Sequence, residues 1–362
     1  MMWPKGASAS RKGILVVKPK AIALLSGGLD SQLAIKLMQE QGIEVLAMHY
    51  ESPLCGTEEQ DCAAPGRRAA VRLGVPLVVK NTWDQILEAV KHPRYGHGKG
   101  VNPCIDCRII HFNLARRLME EEGADFIVTG EVLGQRPMSQ HRQALATIER
   151  EARVQGKVLR PLSAHNLEPT QAEREGLVDR SRLLGLTGRN RKPQMALAEE
   201  LGLEEYPMPA GGCLLTEPGF GRRFRRLQQY LEQRGQEIDV ERALLISAAR
   251  HFISSDGEWI SIARNDEEND RLLRKAELFS ALGWGTDATG PVCAVLTEGP
   301  PSDRTLGEAA DLIARYGQGR GRESVTVIFG PDSDRAAAEA WQREFQGSPQ
   351  RGRRLAEKLE RA

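Results

Sequence analysis

The sequence predicts an α/β fold: a parallel sheet with helices on both faces, followed by a second, smaller α/β domain. Three observations carry this reading. An apolar strand, Ala21 to Leu25, runs into a glycine-rich turn and then into an amphipathic helix. Strand and helix patterns alternate from there to Gly130, the order that builds parallel sheets with ligands at the carboxyl ends of their strands. A second alternation starts near Trp259, after a stretch of different composition. The expected organisation is a tail over 1–19, a first domain over 20–215, a basic helical linker over 216–255, a small α/β domain over 256–335 and a charged tail over 336–362.

The elements follow from periodicity and breakers. Gln32 to Gln39 carries apolar residues at helical spacing and stops before Gly42; Glu44 to Tyr50 is a strand. Helix 66–74, strand 76–80 and helix 83–91 come next, then a long helix from Arg108 to Glu122 stopped by Gly123, and a strand from Asp125 to Thr129. Leu162 to Leu201 reads as helical and charged, broken at Pro169, Gly176, Gly185 and Pro193. The run Gly221-Arg222-Arg223-Phe224-Arg225-Arg226 opens a basic helical stretch reaching about Arg250. In the second domain, strands are expected at 259–263, 292–297 and 324–329 and helices at 269–282 and 306–316. The end of the chain, from Gly347, reads as a solvated helix or a disordered tail.

Composition narrows the classes. The chain has 362 residues, 40% apolar and 27% charged, with a formal net charge of +1. That is enough apolar surface for two domains, and the charge balance means any basic surface is local. It contains no run of about 18 apolar residues and no apolar signal-peptide core before Lys20, so the expectation is a cytoplasmic protein without a membrane segment. Six cysteines are too few for a disulfide framework at this length, and in a reducing compartment paired cysteines bind metal or do redox chemistry.

The turn Ser26-Gly27-Gly28-Leu29-Asp30-Ser31 has the parts of a phosphate site. Glycines allow close backbone approach, hydroxyls donate to phosphate oxygens, and a helix start offers unpaired N–H groups and a positive dipole end. It is not a Walker A loop, because no Gly-Lys-Ser/Thr follows at the required spacing. The second constellation is Cys104-Ile105-Asp106-Cys107 at a helix start, which lowers thiol pKa values, joined by Cys213 behind two glycines that let the backbone bring a distant thiol to the same place. Three thiols are too few for a closed zinc site unless His97 or His111 joins. They suit a 4Fe-4S cluster with one open iron, and a persulfide-carrying pair drawn from Cys104 or Cys107 with Cys213 is the competing reading. Cys293 sits in an apolar strand and reads as core; Cys55 and Cys62 lie in a polar loop, as bystanders or extra sulfur handlers. A third run, Thr129 to Gln140, places Gly130 at a strand end with Gln135, Ser139 and Gln140 as neutral hydrogen-bonding groups. Ser26, His49, Cys104 and Gly130 all fall near strand ends and are expected to converge.

With these motifs together, Ser-Gly-Gly-x-Asp-Ser resembles the PP-loop of ATP pyrophosphatases, and residues 20 to about 215 resemble the PP-loop domain (adenine nucleotide alpha hydrolase-like) of tRNA sulfurtransferases. The nearest likeness is to the 4-thiouridine synthases, on Thr129 to Gln140, of the iron–sulfur-dependent type. The resemblance implies ATP held by Ser26, Gly27, Gly28, Asp30, Ser31, His49, Gly130 and Gln135, with Mg2+ and a catalytic role for Asp30. It implies Cys104, Cys107 and Cys213 as catalytic sulfur carriers and cluster ligands, zinc being the alternative metal. tRNA is the implied partner, together with a sulfur donor, sulfide or a cysteine desulfurase, and a homodimer is an admissible assembly. The 2-thiouridine synthases and a PP-loop amide-forming ligase are the alternatives. Neither a THUMP-type domain before the PP-loop nor a rhodanese-like domain after it is expected from this sequence. Instead, Ile260 to Asp270 resembles the Gly-Arg-Asn-x-x-x-Asn-Asp region of NFACT-type RNA-binding domains, against the plain reading of a strand–helix turn capped by Asn265 or Asp266. The arginines at 222, 223, 225 and 226 are candidates for RNA phosphate contacts.

Overall fold

The computed structural model describes residues 18–51, 63–206, 213–330 and 343–359. The first domain is a five-stranded parallel sheet of β1 (Lys20–Leu24), β2 (Glu44–Glu51), β3 (Leu77–Asn81), β4 (Phe126–Thr129) and β5 (Val158–Leu159), in the order β3-β2-β1-β4-β5. β1 is buried along its length and pairs with β2 on one side and β4 on the other. The strand order reverses between β1 and β4, which opens a crevice at their carboxyl ends. Helices α1 (Leu29–Glu40), α2 (Ala64–Leu73), α3 (Trp83–Lys91), α4 (Cys104–Glu121) and α5 (Arg142–Glu151) cross between or flank the strands. Two apolar clusters result. Leu25, Leu33, Ile35, Met38 and Phe126 pack on the face covered by α1, and Ile22, Met48, Phe112 and Ile127 on the face covered by α4.

Several elements differ from expectation. Helix α4 starts at Cys104 rather than Arg108, so both cysteines lie in its first turn. The segment 162–201 is mainly irregular, with only α6 (Gln171–Arg174) and α7 (Lys192–Glu200) as α-helices. Its course is set by hydrogen bonds to the chain after β4: Ser163 Oγ accepts from Leu133 N at 2.9 Å and donates to Leu186 O at 2.7 Å, and Gly188 N donates to Leu133 O at 2.7 Å. The stretch 216–255 is two helices and a strand, α8 (Pro218–Glu232), α9 (Val240–Leu245) and β6 (Arg250–Ile253).

The second sheet holds six strands: β6, β7 (Trp259–Ile262), β8 (Ala281–Gly285), β9 (Cys293–Leu296), β10 (Val325–Gly330) and β11 (Arg343–Gly347), in the order β11-β10-β8-β9-β7-β6, every pairing antiparallel. The expected helix over 269–282 is replaced by α10 (Asp266–Arg274) and then β8. The end of the chain supplies β11 and α12 (Pro349–Leu359), which packs on α11 (Asp303–Tyr316); Arg351 clamps Asp311 at 2.9 Å and Ala356 is buried. Asn265 caps α10 by accepting from Glu268 N at 3.0 Å, while Glu268 accepts from Ala249 N and Arg264 N. Cys293 is buried in the core, and burial pushes its thiol pKa up. Cys55 and Cys62 lie outside the described residues.

The expected linker is a shared core. Phe220, Phe224, Leu227 and Leu231 of α8 pack with Ile86 and Val90 of α3 on one side and with Trp259, Leu282 and Ala294 of the second sheet on the other. Tyr230 Oη donates to Leu296 O at 2.6 Å across this junction. Two of the four expected RNA-facing arginines are occupied inside the protein: Arg223 Nε donates to Ile246 O at 3.0 Å and Arg225 to Gly100 O at 2.6 Å.

Phe224→Ala removes a fully buried ring, and its expected cost is about 3–5 kcal/mol in urea unfolding. Because the core is continuous, fluorescence from Trp83 in the first half and Trp284 in the second should report one coincident transition. A second expectation concerns His251, whose pKa burial lowers from 6.5 to about 4; its Nε2 is buried without a hydrogen-bond partner among the described residues. Between those two values the unfolded chain binds a proton that the fold does not, so stability falls as pH drops from about 6.5 to about 4. His251→Gln should flatten that slope, removing on the order of 3 kcal/mol of acid sensitivity.

Candidate functional site

A cavity of about 290 Å³ opens where β1 and β4 end. Its floor is the turn from Ser26 to the start of α1. Gly27 adopts φ +82°, and a Cβ there would meet the Pro65 backbone at 2.5 Å. Ser26 Oγ and Ser31 Oγ stand 3.2 Å apart, Ser31 Oγ donates to Gly28 O at 2.8 Å, and buried Gln32 ties Gly27 O at 2.8 Å. The hydroxyls are thereby gathered at the first turn of α1, beside its unpaired N–H groups. Gly130 closes the other wall: a Cβ there would lie 2.4 Å from the Asp30 carbonyl carbon, so no side chain fits between β4 and α1.

Asp30 is the pivot. Gln135 Nε2 donates to its Oδ2 at 3.0 Å, Arg191 stands 3.8 Å from the same oxygen, and Oδ1 is buried with no hydrogen-bond partner among the described residues. A buried carboxylate oxygen without a donor is costly unless a cation or donor fills the gap, so Asp30 fits a divalent ion beside a phosphate. Ser26, Gly28, Asp30, Ser31, Gly130 and Gln135 all line the cavity. His49 does not: its Nδ1 bonds Leu25 O at 2.7 Å, beneath the loop.

The cysteine turn adjoins this cavity. Val101 N donates to Leu215 O at 2.9 Å, which draws the segment beginning at Cys213 beside the Asn102-Pro103-Cys104 turn. Asn102 Nδ2 donates to Cys104 Sγ at 3.1 Å, and Cys107 Sγ lies 3.9 Å from the His111 ring nitrogens. The neighbouring Cys104 and Cys213 both add to the upward shift of Cys107. The expected lowering by the helix start does not hold at Cys107, where burial outweighs it and pushes the thiol up to about 12. The Cys213 thiol is likewise raised, by burial first and then by Cys104. Among the described residues, no three His, Cys, Asp or Glu stand at metal-ligand spacing; the donor set has the chemistry of a sulfur-rich centre without its geometry.

Several groups at this junction escaped the sequence reading. Tyr50, at the end of β2, lines the cavity and stacks on His111 with centroids 3.3 Å apart. Arg108 also lines the cavity, donating to Tyr50 Oη at 3.2 Å with Nε 3.3 Å from Glu131. Glu131 is buried and shared with Arg160 at 3.0 Å, which in turn reaches Glu149. Burial keeps His111 neutral, its pKa lowered further by Arg108 and His49, and raises that of Tyr50. Arg108 directly follows Cys107, and Tyr50 ends a predicted strand; those positions were the available signals. Arg191 had none, because it arrives by the irregular path of 162–201.

The crevice of a parallel sheet, floored by a Ser-Gly-Gly-x-Asp-Ser turn at a helix start, defines a doubly wound α/β domain with a polar site at its strand ends. Residues 19–172 match the family model of the tRNA methyl transferase HUP domain, and residues 249–344 that of the NFACT protein RNA binding domain. The chain is thus similar to a HUP domain in its first part and to an NFACT-type domain in its second, and a probable tRNA sulfurtransferase is among the proteins it resembles. It is 34% identical over 124 residues to the tRNA-specific 2-thiouridylase MnmA of Clostridium acetobutylicum, covering 31% of this chain and 35% of that protein. It is 33% identical over 136 residues to a probable tRNA sulfurtransferase of Methanothermobacter thermautotrophicus, covering 36% of this chain and 32% of that one. The match therefore spans about a third of these curated relatives. A 4-thiouridine synthetase solved with RNA and bound ATP is similar to it with a TM-score of 0.36 at 21% identity, covering 58% of this chain and 50% of that structure. No helix among the described residues is long and apolar enough to cross a membrane.

Gly130→Ala forces β4 and α1 apart, and the expected cost is about 1–3 kcal/mol in thermal or urea unfolding. A variant as stable as the parent would show that the contact between Gly130 and Asp30 is not tight.

Proposed function

We propose that this chain is an ATP-dependent tRNA sulfurtransferase that replaces a uridine carbonyl oxygen with sulfur, giving 4-thiouridine. The observation that carries the proposal is the shared wall: Tyr50 and Arg108 line the phosphate cavity and also border the cysteine turn. Activation of an oxygen and delivery of sulfur then take place within one site. The names of the relatives, a 2-thiouridylase and a tRNA sulfurtransferase, support the same class of chemistry. The NFACT-type domain supports a folded RNA as the partner, held mainly by shape and backbone contacts; the cytoplasm is the compartment such a substrate implies.

In this mechanism the hydroxyls of Ser26 and Ser31 and the N–H groups opening α1 hold the terminal phosphates of ATP. Asp30, steadied by Gln135, would hold Mg2+, which would screen the triphosphate charge. The uridine oxygen attacks the α-phosphorus, the bond to the β-phosphate breaks, and pyrophosphate leaves with the electron pair. Sulfur brought by the cysteines then attacks the activated carbon, and AMP leaves with the original oxygen. As a persulfide pair, one thiol carries the sulfur and a second resolves it, leaving a disulfide. If a 4Fe-4S cluster were present, Cys104, Cys107 and Cys213 would be the residues to hold it and it would supply a place for inorganic sulfide; iron with acid-labile sulfide in anaerobically purified protein distinguishes the two routes.

The test is thionucleoside mass spectrometry of tRNA from a strain lacking the gene. 4-Thiouridine should be lost, restored by the wild-type gene, and not restored by Cys213→Ala or Asp30→Asn. Loss of 2-thiouridine instead moves the reaction to the other carbonyl, and an unchanged profile overturns the proposal.

A further inference from the structure

We infer that Arg108 is the α-phosphate contact of the nucleotide cavity, its guanidinium held ready by Glu131 and Tyr50 on the side nearest the cysteine turn. The inference rests on the nucleotide reading of the cavity and adds a residue that neither the loop motif nor the cysteine pair includes.

Three observations support it. The cavity is lined by three arginines, Arg108, Arg136 and Arg191, against two carboxylates, Asp30 and Glu131. Arg191 leans toward Asp30 and so belongs to the loop side. Arg108 faces the opposite wall, and beyond Tyr50 Oη and Glu131 its guanidinium has no partner among the described residues, leaving N–H groups for a ligand. Glu131 does not neutralise Arg108 alone, since the same carboxylate binds Arg160 at 3.0 Å, and Arg160 is balanced by Glu149. The chain of contacts Arg108, Glu131, Arg160, Glu149 alternates in sign and presents its positive end to the cavity. A planar guanidinium fixed in this way matches the paired oxygens of a phosphoryl group.

The position follows from the chemistry. The carbon that receives sulfur is one oxygen away from the α-phosphorus, so that phosphorus must lie toward the thiols, while the β- and γ-phosphates occupy the start of α1. When the uridine oxygen bonds to phosphorus and the pyrophosphate bond breaks, charge builds on the non-bridging α-oxygens, where Arg108 stabilises it. Arg108 follows Cys107 on the first turns of α4, so the residue that grips the activated phosphate and the residue that brings sulfur move together.

The experiment compares binding of AMP and of adenosine to the full chain by equilibrium dialysis, for wild type, Arg108→Ala and Arg108→Lys. AMP should bind wild type tighter than adenosine does. Arg108→Ala should weaken AMP at least tenfold and adenosine less than twofold, with Arg108→Lys between, because a point charge lacks the fork. Retained adenosine binding shows that the variants are folded; Glu131 still has Arg160. Equal AMP affinity in wild type and both variants overturns the assignment of Arg108. Wild type that binds AMP no better than adenosine overturns the phosphate reading of the cavity itself, and neither outcome depends on whether tRNA is thiolated.

Discussion

The carboxylate of Glu131 is the fixed point of the first domain. It is almost completely buried between Arg108 and Arg160, and an ion in that position must keep a charged partner. Removing one partner from a buried pair of this kind costs about 3–5 kcal/mol. Because Glu131 follows Gly130 at the end of β4, while Arg108 stands on α4 and Arg160 follows β5, one charge ties a strand end, a helix start and a neighbouring loop together. The two constellations that carry chemistry, the serine-rich turn at α1 and the thiols at α4, are thereby held in register across the sheet.

The cavity itself depends on what is missing. Gly130 leaves room for the backbone of β4 to touch that of α1, and Gly27 folds the loop over Pro65. Two hydroxyls, the helix N–H groups and the Asp30 carboxylate, whose Oδ1 has no hydrogen-bond partner among the described residues, then gather between β4 and α1. Burial acts on the thiol side in the opposite sense. It raises Cys107 and keeps His111 neutral, so the Cys107 thiol stays protonated until a reacting partner draws the proton away.

Much of the first domain could be read from the chain. β1, the loop after it and β4 were legible because apolar strands end abruptly in glycine, and the cysteine spacing was legible because thiols are rare. The first residue of α4 lies four positions before the expected Arg108, although the cysteine pair was already placed at a helix start. In the second half, Ala281-Leu282-Gly283-Trp284-Gly285 contains two glycines and no alternation, so β8 could not be separated from the helix before it. β11 is largely exposed and has no apolar face to betray it. The antiparallel order of that sheet follows from long-range pairing, which no local window contains. His49 was the opposite case: its position at a strand end was right, but its ring is spent on the Leu25 carbonyl.

The core built around α8 has a further consequence. Phe220 and Phe224 weld the first domain to the second sheet, so the two halves act as a caliper locked at one setting. Under the proposed function, a polynucleotide held by the second half would reach the crevice only if the length of its own folded arm equals that setting. Choice among targets then becomes a matter of dimension before any base is read.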